Sequence, residues 1–366
     1  MLKAVKNAVR PYLVSLTSIE KLEKNIHTIP ISLQSEKIDT PEILEMSLYE
    51  LSRHLQKSYY ITPNVYEVNL KKIMYCPASN LLITPSKKII LDSSSTVKSR
   101  EKIAKLVNIR KLYLSNPENI KGHGTVVHTF ANGSNYYHTL VDHIPRLYTL
   151  HQNYYQSLKE IKVLCSSELT EVESFFLDKL LPKNARITRV DKSKLYLLED
   201  FIFLGYLSRR FAGFLPSTYL NWFLEKVQPK RLREKKNRIF ISRKKSQHKY
   251  ARCILNEDEV FSILKKYGFK KYTLENLSIE DQINLFYDAE FVIGTHGAGL
   301  TNIMFSEQIK VLELHPMQSI LPHYYYLSKS CGHSYLYWCA QEENKNANFE
   351  VNTIEIEKII KANLSR

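Results

Sequence analysis

The sequence has 366 residues, which is long enough for two domains that each bury a hydrophobic core. Its 52 lysines and arginines against 37 aspartates and glutamates give a formal charge of +15, which indicates anionic partners such as nucleotides, nucleic acid or an acidic membrane surface. The five cysteines show no CxxC pair and no metal-ligand spacing, and their odd number argues against a full disulfide framework, which favours a reducing cytoplasm.

The N-terminal stretch MLKAVKNAVRPYLVSL has neither the apolar core of a signal peptide nor the roughly 18 apolar residues of a spanning helix. Lys3, Lys6 and Arg10 stand among its apolar residues. This pattern leaves two interpretations open, a weak interfacial anchor and an ordinary docking helix. We therefore expect a cytoplasmic protein that can make peripheral contact with the inner face of the membrane.

The first half of the chain predicts a mixed α/β domain. Its first hundred residues are rich in Ser and Lys and predict no particular topology. The later predicted strands are GTVVHTF, IKVLCS, ARITRV and DFIFLGY, and the predicted helices are SNYYHTLVDHIPRLYTLHQ, TEVESFFLDKLL and STYLNWFLEKVQ.

The first of these helices carries a candidate general base. Ser134 or Asn135 can cap it, and His138 and Asp142 are four residues apart, which places them on one face within contact range. A carboxylate beside an imidazole can take a proton from an acceptor hydroxyl. The alternatives are a surface ion pair and a metal site that adds His143, which is disfavoured because adjacent helical positions face apart.

From Asn237 onward, strands and helices alternate with short connections. The predicted strands are RIFIS, KKYTL, EFVIG, KVLELHP and SYLYWCA. Asn256 and Glu259 have capping-box spacing at the start of one intervening helix, and Ser278 is the predicted N-cap of the next. Since parallel strands need helical crossovers, this alternation predicts a parallel, doubly wound sheet. The basic stretch QPKRLREKKNR before it is the best candidate for a domain boundary.

The stretch FVIGTHGAGLTNIMF predicts a strand, a glycine loop and a helix N-terminus in succession. Such a loop can hold an anion, because free N–H groups and the positive end of the helix dipole point at it. Its spacing is not the dinucleotide fingerprint, and the sequence contains neither the nucleophile elbow of esterases nor a P-loop. A diphosphate held by the backbone of residues 297–302 is the functional interpretation, and a tight turn is the structural one.

Polar residues at the ends of two other strands extend this candidate site. Arg243 and Lys244 follow RIFIS, and Arg243 can meet a pyrophosphate with a forked pair of donors. Glu313 lies at the carboxyl end of KVLELHP, where it can accept hydrogen bonds from ribose hydroxyls or stand as a satisfied strand-end acid.

Several of these segments together resemble family 61 glycosyltransferases, whose bacterial members are associated with capsular or surface polysaccharide synthesis. The matching pieces are NYYHTLVDHIPRLY, RIFISRKK, NEDEV, LENLSIEDQINLFYDAEFVIGTHGAGLTNIMF and VLELHP, within residues 124–151 and 237–316. The resemblance implies a GT-B fold, with two Rossmann-like domains that face each other across a cleft, and inversion at the sugar carbon without an obligatory metal. Thr139 departs from the family pattern, where an aromatic residue is common.

These expectations combine into an inverting glycosyltransferase that moves a hexosyl or pentosyl group from a nucleotide-sugar, most simply a UDP-sugar, to a hydroxyl of a glycan or lipid-linked glycan. The nucleotide-sugar is a substrate, and no cofactor and no metal is expected; the sequence has no Asp-x-Asp pair. A non-catalytic nucleotide- or polysaccharide-binding module is the alternative. Nucleic-acid binding rests only on charge, because no recognised motif supports it.

The expected domains are an acceptor-binding α/β domain over 1–229, a nucleotide-sugar-binding Rossmann-like domain over 237–345, and a final helix within 346–366 that packs back on the first domain. Asp142 with His138 is the expected base, and His128 and His315 are possible substitutes. The expected acceptor-side residues are Asn135, Tyr137 and Arg146, and the expected donor-binding residues are Arg243, Lys244, His296, Gly297, Ala298, Gly299, Leu300, Thr301, Asn302 and Glu313.

Overall fold

The computed structural model describes residues 15–22, 37–39, 59–61, 67–91, 116–126, 135–166, 169–208, 213–243, 251–318 and 320–364. The chain forms two compact units. Unit 1 comprises Met1–Gln34 and Pro63–Arg210, and unit 2 comprises Ser35–Thr62 and Phe211–Arg366. The division near residue 210 differs from the boundary that the basic stretch predicts, since the helix over residues 217–227 falls in unit 2 rather than before the boundary.

Fifteen strands occur in the described ranges. They are β1 (Ser15–Thr17), β2 (Lys37–Asp39), β3 (Tyr59–Ile61), β4 (Glu67–Cys76), β5 (Leu81–Ile83), β6 (Lys88–Ile90), β7 (Glu118–Val126), β8 (Ile161–Ser166), β9 (Ala185–Val190), β10 (Tyr196–Leu204), β11 (Asn237–Ile241), β12 (Phe269–Tyr272), β13 (Ala289–Thr295), β14 (Lys310–His315) and β15 (Ser334–Cys339).

The helices of the same ranges are α1 (Ile19–Leu22), α2 (Tyr136–His138), α3 (Asn153–Gln156), α4 (Glu171–Leu180), α5 (Ser217–Val227), α6 (Glu257–Lys266), α7 (Ile279–Tyr287), α8 (His323–Ser330) and α9 (Thr353–Leu364). A π-helical segment, Thr139–His143, continues α2. Three 3₁₀ segments cover Ile144–His151, Leu274–Asn276 and Ala298–Phe305.

Unit 1 is built on an eight-stranded mixed sheet with the order β1-β6-β5-β4-β10-β7-β8-β9. The strands β10, β7, β8 and β9 run parallel, whereas β4, β5 and β6 form an antiparallel meander that joins β10 antiparallel. The mixed α/β character agrees with the sequence-based expectation. The parallel strands expected of a Rossmann-like domain form only one side of this sheet. The antiparallel meander extends the sheet on the other side, and it comes from the first hundred residues, for which the sequence predicts no topology.

Unit 2 contains a five-stranded, wholly parallel sheet with the order β12-β11-β13-β14-β15. This arrangement confirms the parallel, doubly wound sheet that the alternating pattern predicts. When the five strands of this sheet are numbered in chain order from β11, the strand order is 2-1-3-4-5. This order places the topological switch point between β11 and β13. The strand β13 is buried along almost its whole length, as expected for a central parallel strand.

One face of this sheet carries an apolar core, and the other face carries the candidate site. Phe240, Ile293, Leu312 and Leu314 pack with residues of α6 and α9 on the first face. Because neighbouring residues of a strand point to opposite faces, Glu313 points to the other face. The side-chain alternation of β14 therefore separates packing residues from the polar residues described below.

The final helix α9 packs within unit 2. Ile356 and Ile360 belong to the same apolar cluster as α6. Trp338 Nε1 donates a hydrogen bond to Glu355 (2.6 Å), and Tyr267 Oη donates one to Glu357 (2.7 Å). These contacts correct the expectation that residues 346–366 pack back on the N-terminal domain. In the part of the chain that the structure describes, no helix has both the length and the apolar character needed to cross a bilayer.

Candidate functional site

The switch point of the unit 2 sheet brings two predicted segments together. In an open α/β sheet, ligands bind outside the carboxyl ends of the strands where the strand order reverses. Arg243 follows the end of β11, and residues 294–302, here called the anion loop, begin with the last two residues of β13 and continue beyond it. The two strands are direct neighbours, with Ile241 opposite Gly294. The fold thus places a cation and a glycine loop at the same edge.

The anion loop has free backbone donors. Within the described residues, the N–H groups of residues 297–299 donate to no acceptor, whereas the flanking groups do: His296 N–H donates to Leu314 O (3.1 Å) and Leu300 N–H to Gly297 O (3.0 Å). The 3₁₀ segment that starts at Ala298 adds the positive end of its dipole. Three adjacent free donors at a helix start are the elements of an anion site.

Arg243 crosses directly in front of this loop. Its Nε donates a hydrogen bond to Ala251 O (2.9 Å), and its Nη1 lies 3.5 Å from His296 O. A Cβ added at Gly297 would overlap Nη1 and lie 2.7 Å from Cζ. The φ of Gly297, 175°, is open to any residue, so the close approach of Arg243 is what requires glycine here.

Among the residues that the structure describes, the charge of Arg243 lacks a partner of opposite sign. In the described ranges it forms no ion pair, although burial lowers the pKa of its guanidinium. An arginine nevertheless stays charged at neutral pH. A largely buried cation beside free N–H donors therefore favours an anionic ligand, because burial of an uncompensated charge is costly.

Three predicted donor-binding residues have buried side chains. Leu300, Thr301 and Asn302 are buried, at 1%, 0% and 0% exposure. Asn302 Nδ2 donates hydrogen bonds to Gln282 Oε1 and to Gly299 O, both at 3.1 Å. These side chains hold the loop from inside, so any ligand contact of residues 300–302 would come from their backbone, and that contact stays a prediction. Lys244 lies outside the described residues.

Glu313 is also buried, and its predicted ribose contact is corrected. It is 0% exposed, and both carboxylate oxygens accept hydrogen bonds from the protein. Oε1 lies 2.5 Å from His296 Nδ1, and Oε2 accepts from Tyr335 Oη at 2.6 Å. His315 Nε2 lies 3.5 Å from Oε2 and 3.2 Å from Tyr335 Oη. The carboxylate therefore holds His296 in place and is not available to a ribose.

The electrostatics of this network follow from burial and from mutual contact. Burial raises the pKa of Glu313, but His315 and His296 outweigh that effect and hold the pKa below its usual range. Burial lowers the pKa of His296 to about 4, against the opposing effect of Glu313. Burial and the Glu313 charge raise the pKa of Tyr335 well above its usual value. Near neutral pH, Glu313 is therefore an ionised carboxylate, and His296 and Tyr335 are neutral.

The same three side chains have the composition of a metal site. The ligand-type atoms of His296, Glu313 and His315 lie within 4.8 Å of one another. In this structure the carboxylate oxygens are engaged by His296 Nδ1 and Tyr335 Oη, so the cluster is organised by hydrogen bonds. The described residues do not bring His138, Asp142 and His143 together in this way.

The predicted contact between His138 and Asp142 is present in unit 1. His138 Nδ1 lies 2.6 Å from Asp142 Oδ2, and the side chains are 22% and 11% exposed. Asn135 caps α2, since its Oδ1 accepts hydrogen bonds from the N–H groups of Tyr137 (2.9 Å) and His138 (3.4 Å). The π-helical turn at Thr139–His143 is of a kind that often occurs at functional sites.

The three expected acceptor-side residues serve the structure around this pair. Asn135 uses its side-chain oxygen as the cap, and Tyr137 is buried with its ring edge-to-face against His138 at 5.4 Å. Arg146 is 1% exposed: its Nε donates to Leu204 O (2.7 Å), and its guanidinium lies 4.9 Å from the ring centroid of Tyr206. The buried side chains of Tyr137 and Arg146 support this segment, whereas Asn135 is exposed and its acceptor contact stays a prediction.

Two alternative bases can also be placed. His315 is 0% exposed within the Glu313 network, which removes it as a base for an external hydroxyl. His128 lies outside the described residues. Sequence reasoning missed Tyr335, although it lies on the strand parallel to KVLELHP, where Val311 is its partner. The strand order was the signal that could have identified it.

Comparison with known families agrees with these segments. Residues 136–312 match the family model described as Glycosyltransferase 61. The matched range covers just under half of the chain and includes His138, Asp142, Arg243 and the anion loop. It supports glycosyltransferase activity in general, and with it a sugar donor and an acceptor. No curated protein matches this chain.

Proposed function

We propose that this protein is an inverting glycosyltransferase that moves a sugar from a nucleotide-sugar, most simply a UDP-sugar, to a hydroxyl of a glycan in surface polysaccharide synthesis. The observation that carries the proposal is the position of Arg243 at Gly297, beside three free N–H groups at the switch point of the unit 2 sheet. The match of residues 136–312 to the Glycosyltransferase 61 model supports the reaction class.

The donor diphosphate binds at the anion loop in this proposal. In the transition state, negative charge develops on the oxygen that leaves the sugar carbon. A fixed guanidinium and backbone N–H groups stabilise that charge without reorganisation. In other transferases a divalent cation stabilises the charge of the leaving diphosphate. Because these groups can do the same, we propose a reaction that does not require a metal.

The acceptor is deprotonated by the pair in unit 1. Inversion is a single displacement, so one base must take the proton of the attacking hydroxyl. His138 is twice as exposed as Asp142. This difference favours an imidazole that contacts the hydroxyl and a carboxylate that orients it and stabilises the imidazolium.

The finer features complete the proposal. We propose the GT-B architecture, a cytoplasmic location with peripheral contact at the inner face of the membrane, and a glycan or lipid-linked glycan as acceptor. The formal charge of +15 supports anionic partners for this protein.

Calorimetry with UDP, GDP and CMP, followed by transfer assays with the corresponding nucleotide-sugars, tests the function. Arg243→Ala should weaken nucleotide binding, whereas Arg238→Ala is a matched control, because Arg238 lies at the opposite end of β11 and pairs with Glu290. Nucleotide binding that is equal in both variants would place the site elsewhere. Tight binding without transfer or hydrolysis for any donor would favour the alternative, a non-catalytic binding module.

A further inference from the structure

The network behind the anion loop fixes which nitrogen of His296 carries a proton. Glu313 is ionised, so its oxygens only accept hydrogen bonds. Tyr335 Oη donates to Oε2, and His296 Nδ1 must therefore donate to Oε1. In the neutral imidazole the remaining nitrogen, Nε2, is then a proton acceptor.

Two nitrogens of the network have no hydrogen-bond partner among the described residues, His296 Nε2 and His315 Nδ1. His315 is 0% exposed and its Nδ1 is buried, whereas the His296 side chain is 6% exposed and its Nε2 is not among the fully buried atoms. His296 immediately precedes Gly297, and its own carbonyl lies 3.5 Å from Arg243 Nη1. The imidazole is thus attached to the loop that offers N–H donors to an anion.

A neutral Nε2 and a diphosphate oxygen repel each other, because both are hydrogen-bond acceptors. A protonated Nε2 donates a hydrogen bond to the same oxygen, and the buried carboxylate of Glu313 on the opposite side of the ring stabilises the imidazolium. A bound anion within a few ångströms favours the charged imidazole by about 1 to 3 pKa units. Ligand binding and proton binding are therefore linked at this residue.

We propose that His296, positioned by Glu313, binds a proton when the donor diphosphate binds and is the catalytic residue that gives this proton to the departing diphosphate. The inference rests on the proposed function. As the bond between the sugar carbon and the diphosphate oxygen breaks, that oxygen keeps the electron pair and the diphosphate accepts the proton from Nε2. The acceptor oxygen forms the new bond, and its proton goes to the His138–Asp142 pair, so that no proton is gained or lost overall.

The groups around His296 set the pH range of this linkage. Glu313 and His315 face it from β14, His323 and Tyr324 from α8, and Arg252 and Arg243 from the segments beside β11. In the free protein, burial first and then the charge of Arg252 lower the pKa of His296, which Glu313 opposes, to about 4. A bound anion raises the pKa of His296 from this low value toward the neutral range.

The test is calorimetry of nucleotide-sugar binding between about pH 5 and 7 in buffers with different ionisation enthalpies. Intact UDP-glucose and GDP-mannose are suitable probes, because their diester phosphates do not titrate in this range. Since the complex binds more protons than the free protein, affinity should rise as pH falls, by at most about tenfold per pH unit, with uptake of up to about one proton.

Variants separate this linkage from a structural role. His296→Gln and Glu313→Gln should abolish the proton uptake and lower kcat at saturating donor. His333→Gln is the control, because His333 is a second buried histidine with a pKa of about 4, whose Nε2 donates to Ile303 O and whose Nδ1 lies 3.4 Å from Ile309 N. Its proton uptake on donor binding should equal that of the wild type.

Each failure has a distinct meaning. Donor binding that depends on Arg243 but takes up no proton in the wild type would overturn the inference and leave the proposed function intact. Uptake that persists in both His296→Gln and Glu313→Gln would also overturn it, as would stoichiometric zinc in the purified protein that is lost in Glu313→Gln. If neither probe, nor any other UDP-, GDP- or CMP-sugar, bound in a way that depends on Arg243, the proposed function itself would fail.

Discussion

A single methyl group at residue 297 should displace Arg243 from the anion loop. The backbone of Gly297 is extended, with a φ of 175°, so alanine is allowed there. The nearest atoms to the added Cβ are Nη1, Cζ and Cδ of Arg243, the last at 3.4 Å. Because these atoms are the end of a flexible side chain, the guanidinium moves and the loop itself keeps its conformation. Gly297→Ala therefore acts through Arg243.

The size of the effect follows from the contact that is lost. A hydrogen bond to a charged group contributes about 1.5 to 3 kcal/mol, which corresponds to a roughly 10- to 140-fold weaker Kd for nucleotide. Arg243→Ala should cost a similar amount. Since both substitutions remove the same contact, their effects should not add, and the double variant should bind about as tightly as Arg243→Ala alone.

Isothermal titration calorimetry of the double-mutant cycle with UDP or GDP measures this coupling. Gly299→Ala is the matched control in the same loop, because its Cβ would meet Leu274 Cδ1 at 2.9 Å and not Arg243. Its effect should add to that of Arg243→Ala. The reasoning would be refuted if Gly297→Ala bound nucleotide like the wild type, or if its loss added fully to that of Arg243→Ala.

Three further predictions concern the base, the metal and pH. Asp142→Asn should lower kcat by about 10² to 10⁴ while nucleotide affinity by calorimetry is unchanged, and Asp200→Asn, which removes the partner of Lys71, is the control. Near wild-type kcat for Asp142→Asn would exclude the base. Transfer should survive EDTA; complete loss that magnesium or manganese restores would contradict a metal-independent reaction. Burial lowers the pKa of His333 to about 4, below its usual 6.5, so the folded state binds fewer protons than the unfolded state and stability should fall by up to about 3 kcal/mol as pH drops from 6.5 to 4. Urea unfolding should show this slope, and an equal slope in His333→Gln would rule out His333 as its source.

The architecture of unit 2 could be predicted because its signals are local. The strands β11, β13, β14 and β15 contain short apolar runs, β12 carries Lys270 and Lys271 between two aromatic residues, and each crossover contains a helical segment, so a parallel sheet follows from sequence alone. Ser278 also caps α7 as predicted, with its Oγ accepting from Asp281 N–H at 3.1 Å. These features depend on residues close in sequence, which is the range that periodicity and capping patterns describe.

The failures depend on partners far away in sequence. Asn256 has capping-box spacing with Glu259, but its side chain instead bonds the N–H and the C=O of Val351, both at 3.0 Å. That contact fixes the segment before α9 to unit 2. The packing of α9 and the hydrogen bonds of Asn256 therefore depend on the same long-range contact. No local sequence pattern shows whether an asparagine at this position caps its own helix or binds a distant segment.

Glu313 shows why the candidate site could be located but not resolved from sequence. A carboxylate at a strand end accepts ribose hydroxyls in one interpretation and protein donors in the other, and both give the same pattern of letters. The decision depends on β15, which lies beside β14 and brings Tyr335 Oη to Oε2, and on the anion loop, which brings His296 Nδ1 to Oε1. With both oxygens engaged, the charge of Glu313 reaches a ligand only through the imidazole. The sequence predicts a loop suited to an anion. If the loop binds one as proposed, the fold makes His296, the residue before the free N–H groups, the one that changes charge.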